Sequence, residues 1–316
     1  MIVILTALHL EYDAVLAHLT DLSTRRHGAG TLFEVGVLAR QPSCRIAVAA
    51  TGMGNLTAAT LTERAAVEFA PTAMVFVGIA GALRDRLTLG DVVVGTRVYA
   101  YHGGLSRDEE FRSRPRAWDI AHAIEQVAGR ISRDDRWFRA LPDHGGADAP
   151  AVHFGPIAAG DVLLDSRTSD PARHLQHHYN DAVAVEMESA GFALAGHLNN
   201  GIPTATIRAI SDHADGGKYE ADGSGSQQLA ARNAAAFAVA VAAMLDAHDP
   251  GPRDTGSRDA ASGDAGSGDR SSPGEAAGAM PTMVNHNTAR DNARVGRQVG
   301  FSFGADASPF RNGDHR

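Results

Sequence analysis

Acidic residues stand where apolar, strand-like runs end. Glu186 and Glu188 close the run Val183-Ala184-Val185-Glu186-Met187-Glu188-Ser189, and Asp212 and Asp215 close Arg208-Ala209-Ile210-Ser211-Asp212-His213-Ala214-Asp215. A further carboxylate, Glu11, follows the first such run in Ala7-Leu8-His9-Leu10-Glu11. Carboxyl groups gathered in one dry pocket can donate a proton, stabilise a growing positive charge, or take a proton from water. Each also has a plainer reading. A Glu in the first turn of a helix sits well beside the positive end of the helix dipole, and Ser-Asp after a strand is a common turn or cap.

The elements that must position these groups alternate along the first 247 residues. Strands are predicted over 2–7, 32–38, 45–50, 73–79, 91–99, 152–159, 183–185 and 204–210, and helices over 11–19, 55–69, 118–131, 173–179, 188–198 and 227–245. In the last helix, Leu229, Asn233, Phe237, Val241 and Met244 fall on one stripe at helical spacing, which is a core-packing pattern. Alternation of this kind predicts a single three-layer α/β domain with a mixed central sheet flanked by helices. In such sheets ligands bind outside the carboxyl ends of the strands, where the acidic residues lie.

The two strings "VEMES" and "RAISDHAD" together resemble the signature of the methylthioadenosine/S-adenosylhomocysteine nucleosidases, within the nucleoside phosphorylase superfamily. Glu11 matches the Glu those nucleosidases carry four residues after the Ala closing the first strand. Thr51-Gly52-Met53-Gly54-Asn55 agrees with the superfamily's second loop, and Gly78-Ile79-Ala80-Gly81-Ala82-Leu83 with Gly90-Asp91-Val92-Val93 looks like its "GxAGxL…GDVV" block. Ala159-Gly160-Asp161-Val162-Leu163-Leu164 is similar to the nucleosidases' "SGDxFI", with Leu163 in place of the aromatic that stacks on the base. Phosphorylases of the superfamily hold phosphate with Arg and Ser in the first and third loops. Here Glu11, Val77 and Ile79 stand there instead, which favours hydrolysis over phosphorolysis.

The resemblance implies roles residue by residue. Asp212, held as the acid, donates toward purine N7; Glu188 binds the ribose 2′- and 3′-hydroxyls beside the oxocarbenium-like centre; Glu11 orients and deprotonates water. Met187 packs beneath the sugar and Ser211 orients Asp212. Gly78, Leu163, Leu164 and Glu186 complete the substrate-binding set. The expected activity is a purine nucleoside or nucleotide N-glycosidase releasing adenine, needing no cofactor. A homodimer is implied. Two alternatives stand beside it: a phosphate-dependent phosphorylase using Arg84, Arg86 or Arg97, and a non-catalytic nucleotide-binding signalling module. An insertion over 99–116 carries His102, Arg107, Arg112, Arg114 and Arg116, with Lys218 further on, and could form a lid receiving a 5′-phosphate.

Composition narrows the rest. The 316 residues are 44% hydrophobic with a formal net charge of −8, which argues against a nucleic-acid-coating surface. A single cysteine, Cys44, excludes an intramolecular disulfide and fits a reducing, cytoplasmic setting. No basic leader precedes the first strand, and no apolar run is expected to reach the roughly 20 residues that span a bilayer. His174 and His178 are four apart on a predicted helix without a third ligand, so no metal site is expected.

Beyond residue 247 the composition changes. Residues 248–280 are rich in Gly, Ser and Asp and predict a disordered linker; 281–316 read as a mostly disordered tail. Within it, over 287–304, "NARVGRQVGFSFG" places Val295, Val299, Phe301 and Phe303 on one face at period two. It resembles the short amyloid signalling motifs of bacterial immune receptors, related to the RIP homotypic interaction motif, which are found joined to nucleosidase-like effectors. That implies recruitment by a receptor carrying a matching motif.

Overall fold

The computed structural model describes residues 1–108, 111–141, 148–217 and 223–248. Lys218, the linker beyond 248, and the motif 287–304 lie outside the described residues. In chain order the elements are β1 (Ile2–Thr6), α1 (His9–Leu16), β2 (Leu19–Arg26), β3 (Leu32–Leu38), β4 (Gln41–Ala50), α2 (Asn55–Phe69) and β5 (Ala73–Ala82). Then come β6 (Val92–Ala100), β7 (Gly104–Ser106), β8 (Phe111–Ser113), β9 (Arg116–Asp119), α3 (His122–Ile131) and α4 (Arg136–Arg139). The described chain closes with β10 (Val152–Ala159), α5 (Asp170–His178), β11 (Ala184–Glu186), α6 (Ser189–Leu198), β12 (Thr204–Asp212) and α7 (Ser226–His248).

The main sheet runs β11-β10-β6-β12-β5-β1-β4-β3-β2, with β9 added to β6. It is mixed. β1 pairs parallel with β4 and β5, β12 is parallel to β5, and β12 is antiparallel to β6. β11 bonds parallel to β10 and also antiparallel to the end of β5, so β5, β12, β6, β10 and β11 close into a ring. That closure brings the ends of β5, β11 and β12 together.

The three layers follow from period-two patterning of strands buried on both faces. Ile2 and Ile4 of β1 pack with α1, α3 and α7, while Val3 and Leu5 pack with α2 and α6 on the other side. Phe76 of β5 meets Phe192 of α6 edge to face at 5.4 Å. Helix α7 is long and apolar enough over 226–247 to cross a bilayer, contrary to the expectation that no run would be. Its apolar stripe is spent on the core: Phe237 and Val241 are fully buried in the cluster shared with β1, β4, β5 and β12.

Several boundaries differ from those expected, and at two places the element type changes. Trp118 lies in β9, paired opposite Val98, and the helix starts only at His122. Leu19 opens β2, an edge strand whose remaining residues are exposed. The insertion over 99–116 is in part a small hairpin, β7 with β8.

Candidate active site

Residues at or just beyond the ends of β5, β10, β11 and β12, together with the loops after β1 and β4, border one cavity of about 300 Å³. Its walls include Leu8 and Glu11 after β1, Met53 after β4, Ile79 to Gly81 of β5, and Val162 to Leu164 after β10. Val185 to Glu188 and Ser211 with Asp212 complete it, joined by Gln227 from the start of α7. Glu11, Glu188 and Asp212, far apart in sequence, therefore share one chamber, and so do Glu186, Met187, Ser211, Leu163 and Leu164. Gly78 is not in the wall but directly behind it.

Each carboxylate is held differently. Glu11 is buried in the first turn of α1. Its Oε2 accepts the N–H groups of Ala7 and Leu8, both at 2.8 Å, and its Oε1 accepts that of Ile79 at 2.9 Å. A carboxylate has about four acceptor sites, so one remains for a ligand or water. Burial pushes the Glu11 carboxyl above its ordinary value, against the opposing pull of Arg208 and the three backbone N–H groups. Glu188 accepts the Gly54 N–H at 3.0 Å on Oε1 and Arg208 Nη2 at 3.2 Å on Oε2, which leaves one site on each oxygen.

Asp212 is aimed by a local irregularity. The β12–β5 register shifts between Ile210 and Asp212, and such a bulge redirects the side chain that follows. Its Oδ2 accepts Ser211 Oγ at 2.9 Å and its Oδ1 the Ala214 N–H at 3.0 Å. A Cβ at Gly81 would stand 2.9 Å from Oδ1, so the residue beside it in β5 must be small.

One functional candidate went unread in the sequence. Arg208, in the middle of β12 and 1% exposed, places its guanidinium among Glu11, Glu186 and Glu188. It is ion-paired to Glu186 through Nη2 and lies over the Phe76 ring at 4.8 Å. A lone cation in an otherwise apolar strand is a signal for a buried acidic partner, since a charge is kept in a core only when paired. Gly78 exists for this pair: a Cβ there would collide with the Arg208 guanidinium and come within 2.6 Å of Glu11 Oε1.

Other residues singled out in the sequence sit elsewhere. Asp215 is exposed and bonds the Gly217 N–H. Arg97 pairs with Asp119 at 2.6 Å, Arg84 reaches the Asn180 carbonyl, and Arg86 is exposed; none of the three lines the cavity. The arginines 107, 112, 114 and 116 are exposed and absent from its walls, and Arg116 stacks over Trp118 at 5.3 Å. Leu163 is 60% exposed at the rim, whereas Leu164 is buried. No group of three or more potential metal ligands occurs among the described residues, and the His174 Nε2 instead meets the Tyr101 carbonyl at 3.2 Å.

The Phosphorylase superfamily model matches residues 1–246. The chain belongs to the phosphorylase superfamily. Within that superfamily its relatives place it on the nucleosidase branch. The 5′-methylthioadenosine/S-adenosylhomocysteine nucleosidase of Mycobacterium tuberculosis is 30% identical over 202 residues, 60% of this chain and 76% of that protein. The ATP nucleosidase Cap17 of Escherichia coli is 27% identical over 240 residues, 70% of this chain but 47% of that larger protein. The fold is that of the Neisseria meningitidis 5′-methylthioadenosine/S-adenosylhomocysteine nucleosidase solved with methylthio-immucillin-A. That match has a TM-score of 0.62 at 24% identity and covers 77% of this chain and 99% of that one. The three-layer architecture read from the sequence is thus the superfamily's own.

Proposed function

We propose that this superfamily member is a purine nucleoside N-glycosidase that hydrolyses the bond between ribose and base and releases adenine. The observation that carries it is the convergence of Glu11, Glu188 and Asp212 on one chamber, with acceptor sites unfilled on the first two. Breaking the bond builds positive charge on the ribose and negative charge on the base. Asp212, steadied by Ser211, serves as the acid toward N7 of the leaving purine. Glu188 uses its two remaining sites for the 2′- and 3′-hydroxyls and sets its charge beside the oxocarbenium-like carbon. Glu11 uses its remaining site to hold the attacking water and take its proton. Met187 packs under the sugar, Gly78 makes room for Glu11 and Arg208, and Leu163 and Leu164 offer an apolar wall to the base.

Hydrolysis is favoured over phosphorolysis because the described cavity wall carries no Arg or Lys, and an incoming phosphate would face four carboxyl groups. The same wall favours an uncharged 5′ substituent, with Leu8 and Met53 available to it. The test is to incubate the full chain with methylthioadenosine, S-adenosylhomocysteine, adenosine, AMP and ATP, each with and without inorganic phosphate, and to measure free adenine. The expected result is adenine with free sugar at a rate indifferent to phosphate. Adenine only in the presence of phosphate, or from none of the five, overturns the reading.

A homodimer is supported by large apolar side chains exposed on the outer helices, Leu56 (84%) and Val67 (68%) of α2 and Leu198 (71%) of α6. A cytoplasmic setting accords with Cys44, which is buried and whose thiol burial pushes up to about 12, far from any reactive range. We further divide the chain at 247/248, with 248–280 as linker and the motif within 287–304 as the segment a receptor with a matching motif would engage.

A further inference from the structure

Arg208 is a single buried cation shared by three carboxylates, so its charge must be divided among them. Glu186 differs from its two partners in how its oxygens are used. Ser189 N–H reaches both of them at 3.1 Å. Its Oε2 also accepts the Glu188 N–H at 3.1 Å, Ser189 Oγ at 2.9 Å and Arg208 Nη2. Four donors engage Glu186 against two for Glu188, and all four reach Oε2, so that oxygen has nothing to offer a ribose hydroxyl although Glu186 borders the cavity. Ser189 ties the group together, since its hydroxyl also accepts Arg208 Nη2 at 3.2 Å.

We propose that Glu186 is a positioning residue rather than a sugar ligand: by ion-pairing Arg208 it keeps that cation from neutralising Glu188, and so sets the negative charge presented to the ribose. This rests on the glycosidase reading and assigns a residue to its site. When Glu186 is ionised, Arg208 Nη2 is balanced by it, and the Glu188 charge is available to the oxocarbenium-like centre. When Glu186 is protonated, the guanidinium is balanced by Glu188 at 3.2 Å and by Glu11, and the charge facing the sugar falls. The charged and titratable groups facing it are Arg208 from β12, Glu188 in its own turn, Glu11 across the same guanidinium, and Tyr101 after β6. Burial pushes the Glu186 carboxyl up to about 7, which puts this switch in the neutral range. The ionised, active form is therefore lost as pH falls through that value.

The experiment compares wild type with Glu186→Gln over pH 6 to 8, reading kcat and the affinity for a nucleoside analogue whose ribose ring carries a protonated nitrogen. Wild type is expected to gain in both as pH rises. Glu186→Gln is expected to hold the low-pH level throughout, with kcat about tenfold below wild type at pH 8, the effect of one unit of altered charge interaction. The analogue's own titration cancels in the ratio of the two affinities. Ser189→Ala, which removes a donor to the ionised carboxylate, is expected to move the wild-type limb to higher pH and keeps the proposal testable if Glu186→Gln fails to fold. Parallel pH profiles for wild type and Glu186→Gln, differing only in the folded fraction, overturn it. A wild type that cleaves no nucleoside but shows the affinity difference sinks the glycosidase reading and leaves the charge partition standing; one that shows neither defeats both.

Discussion

Asp212→Asn lowers the rate of base release by about 10²–10⁴-fold, the usual contribution of a positioned general acid. Asn keeps the size of the side chain: its carbonyl can still accept the Ala214 N–H, made by Asp212 at 3.0 Å, and its amide then faces Ser211 Oγ, which can accept where it now donates at 2.9 Å. It cannot give up a proton to the departing purine as a carboxylic acid does. The loss therefore falls on kcat, while affinity for the nucleoside changes little, because an interaction made only in the transition state has gone. Single-turnover assays of adenine release beside equilibrium binding separate the two. A variant with wild-type turnover removes Asp212 from the chemistry.

Glu11→Gln is expected to cost a comparable factor, about 10²–10⁴, through loss of the base for water. Stability suffers as well, for a reason visible in the hydrogen bonds. Glu11 accepts three backbone N–H groups with two oxygens, and Gln has only one. With its carbonyl on Ala7 and Leu8, its amide faces the Ile79 N–H, leaving a buried donor unsatisfied at roughly 1–3 kcal/mol. Thermal unfolding beside the activity assay tells the two losses apart. In the wild type, Glu11 must be ionised to act, and burial raises its carboxyl above the ordinary value. Activity attributable to Glu11 is then lost on acidification at a higher pH than an exposed carboxylate would give. A Glu11→Gln enzyme of normal kcat would return Glu11 to the role of a first-turn helix residue.

Much of this architecture was legible because the physics that writes it is local. Ile2 to Leu5 alternate between two core clusters, and the stripe through Phe237 and Val241 on α7 is a direct record of the surface it covers. The acidic residues at strand ends were legible as candidates for a similar reason, since strand ends in an α/β sheet face the ligand crevice. What escaped was set by pairing across the chain. Arg208 is read locally as one residue in a strand; its meaning depends on Glu11, Glu186 and Glu188, which only the closed ring of strands brings to it. Glu186 and Glu188 look alike in sequence, and the count of donors around each separates them. Edge strand β2 was missed because Thr20 to Arg26 are solvent-facing and carry no alternation. Trp118 was drawn into the following helix by its neighbours, whereas pairing with Val98 makes it part of a strand.

The most direct measurement is a crystal structure of the full chain with a non-hydrolysable adenine nucleoside analogue. The sugar is expected in the chamber of about 300 Å³, with the 2′- and 3′-hydroxyls on Glu188, N7 within hydrogen-bond reach of Asp212, and a water or its mimic between Glu11 and the anomeric carbon. An analogue seated in another cavity, or turned so that its sugar touches neither Glu11 nor Glu188, would contradict it.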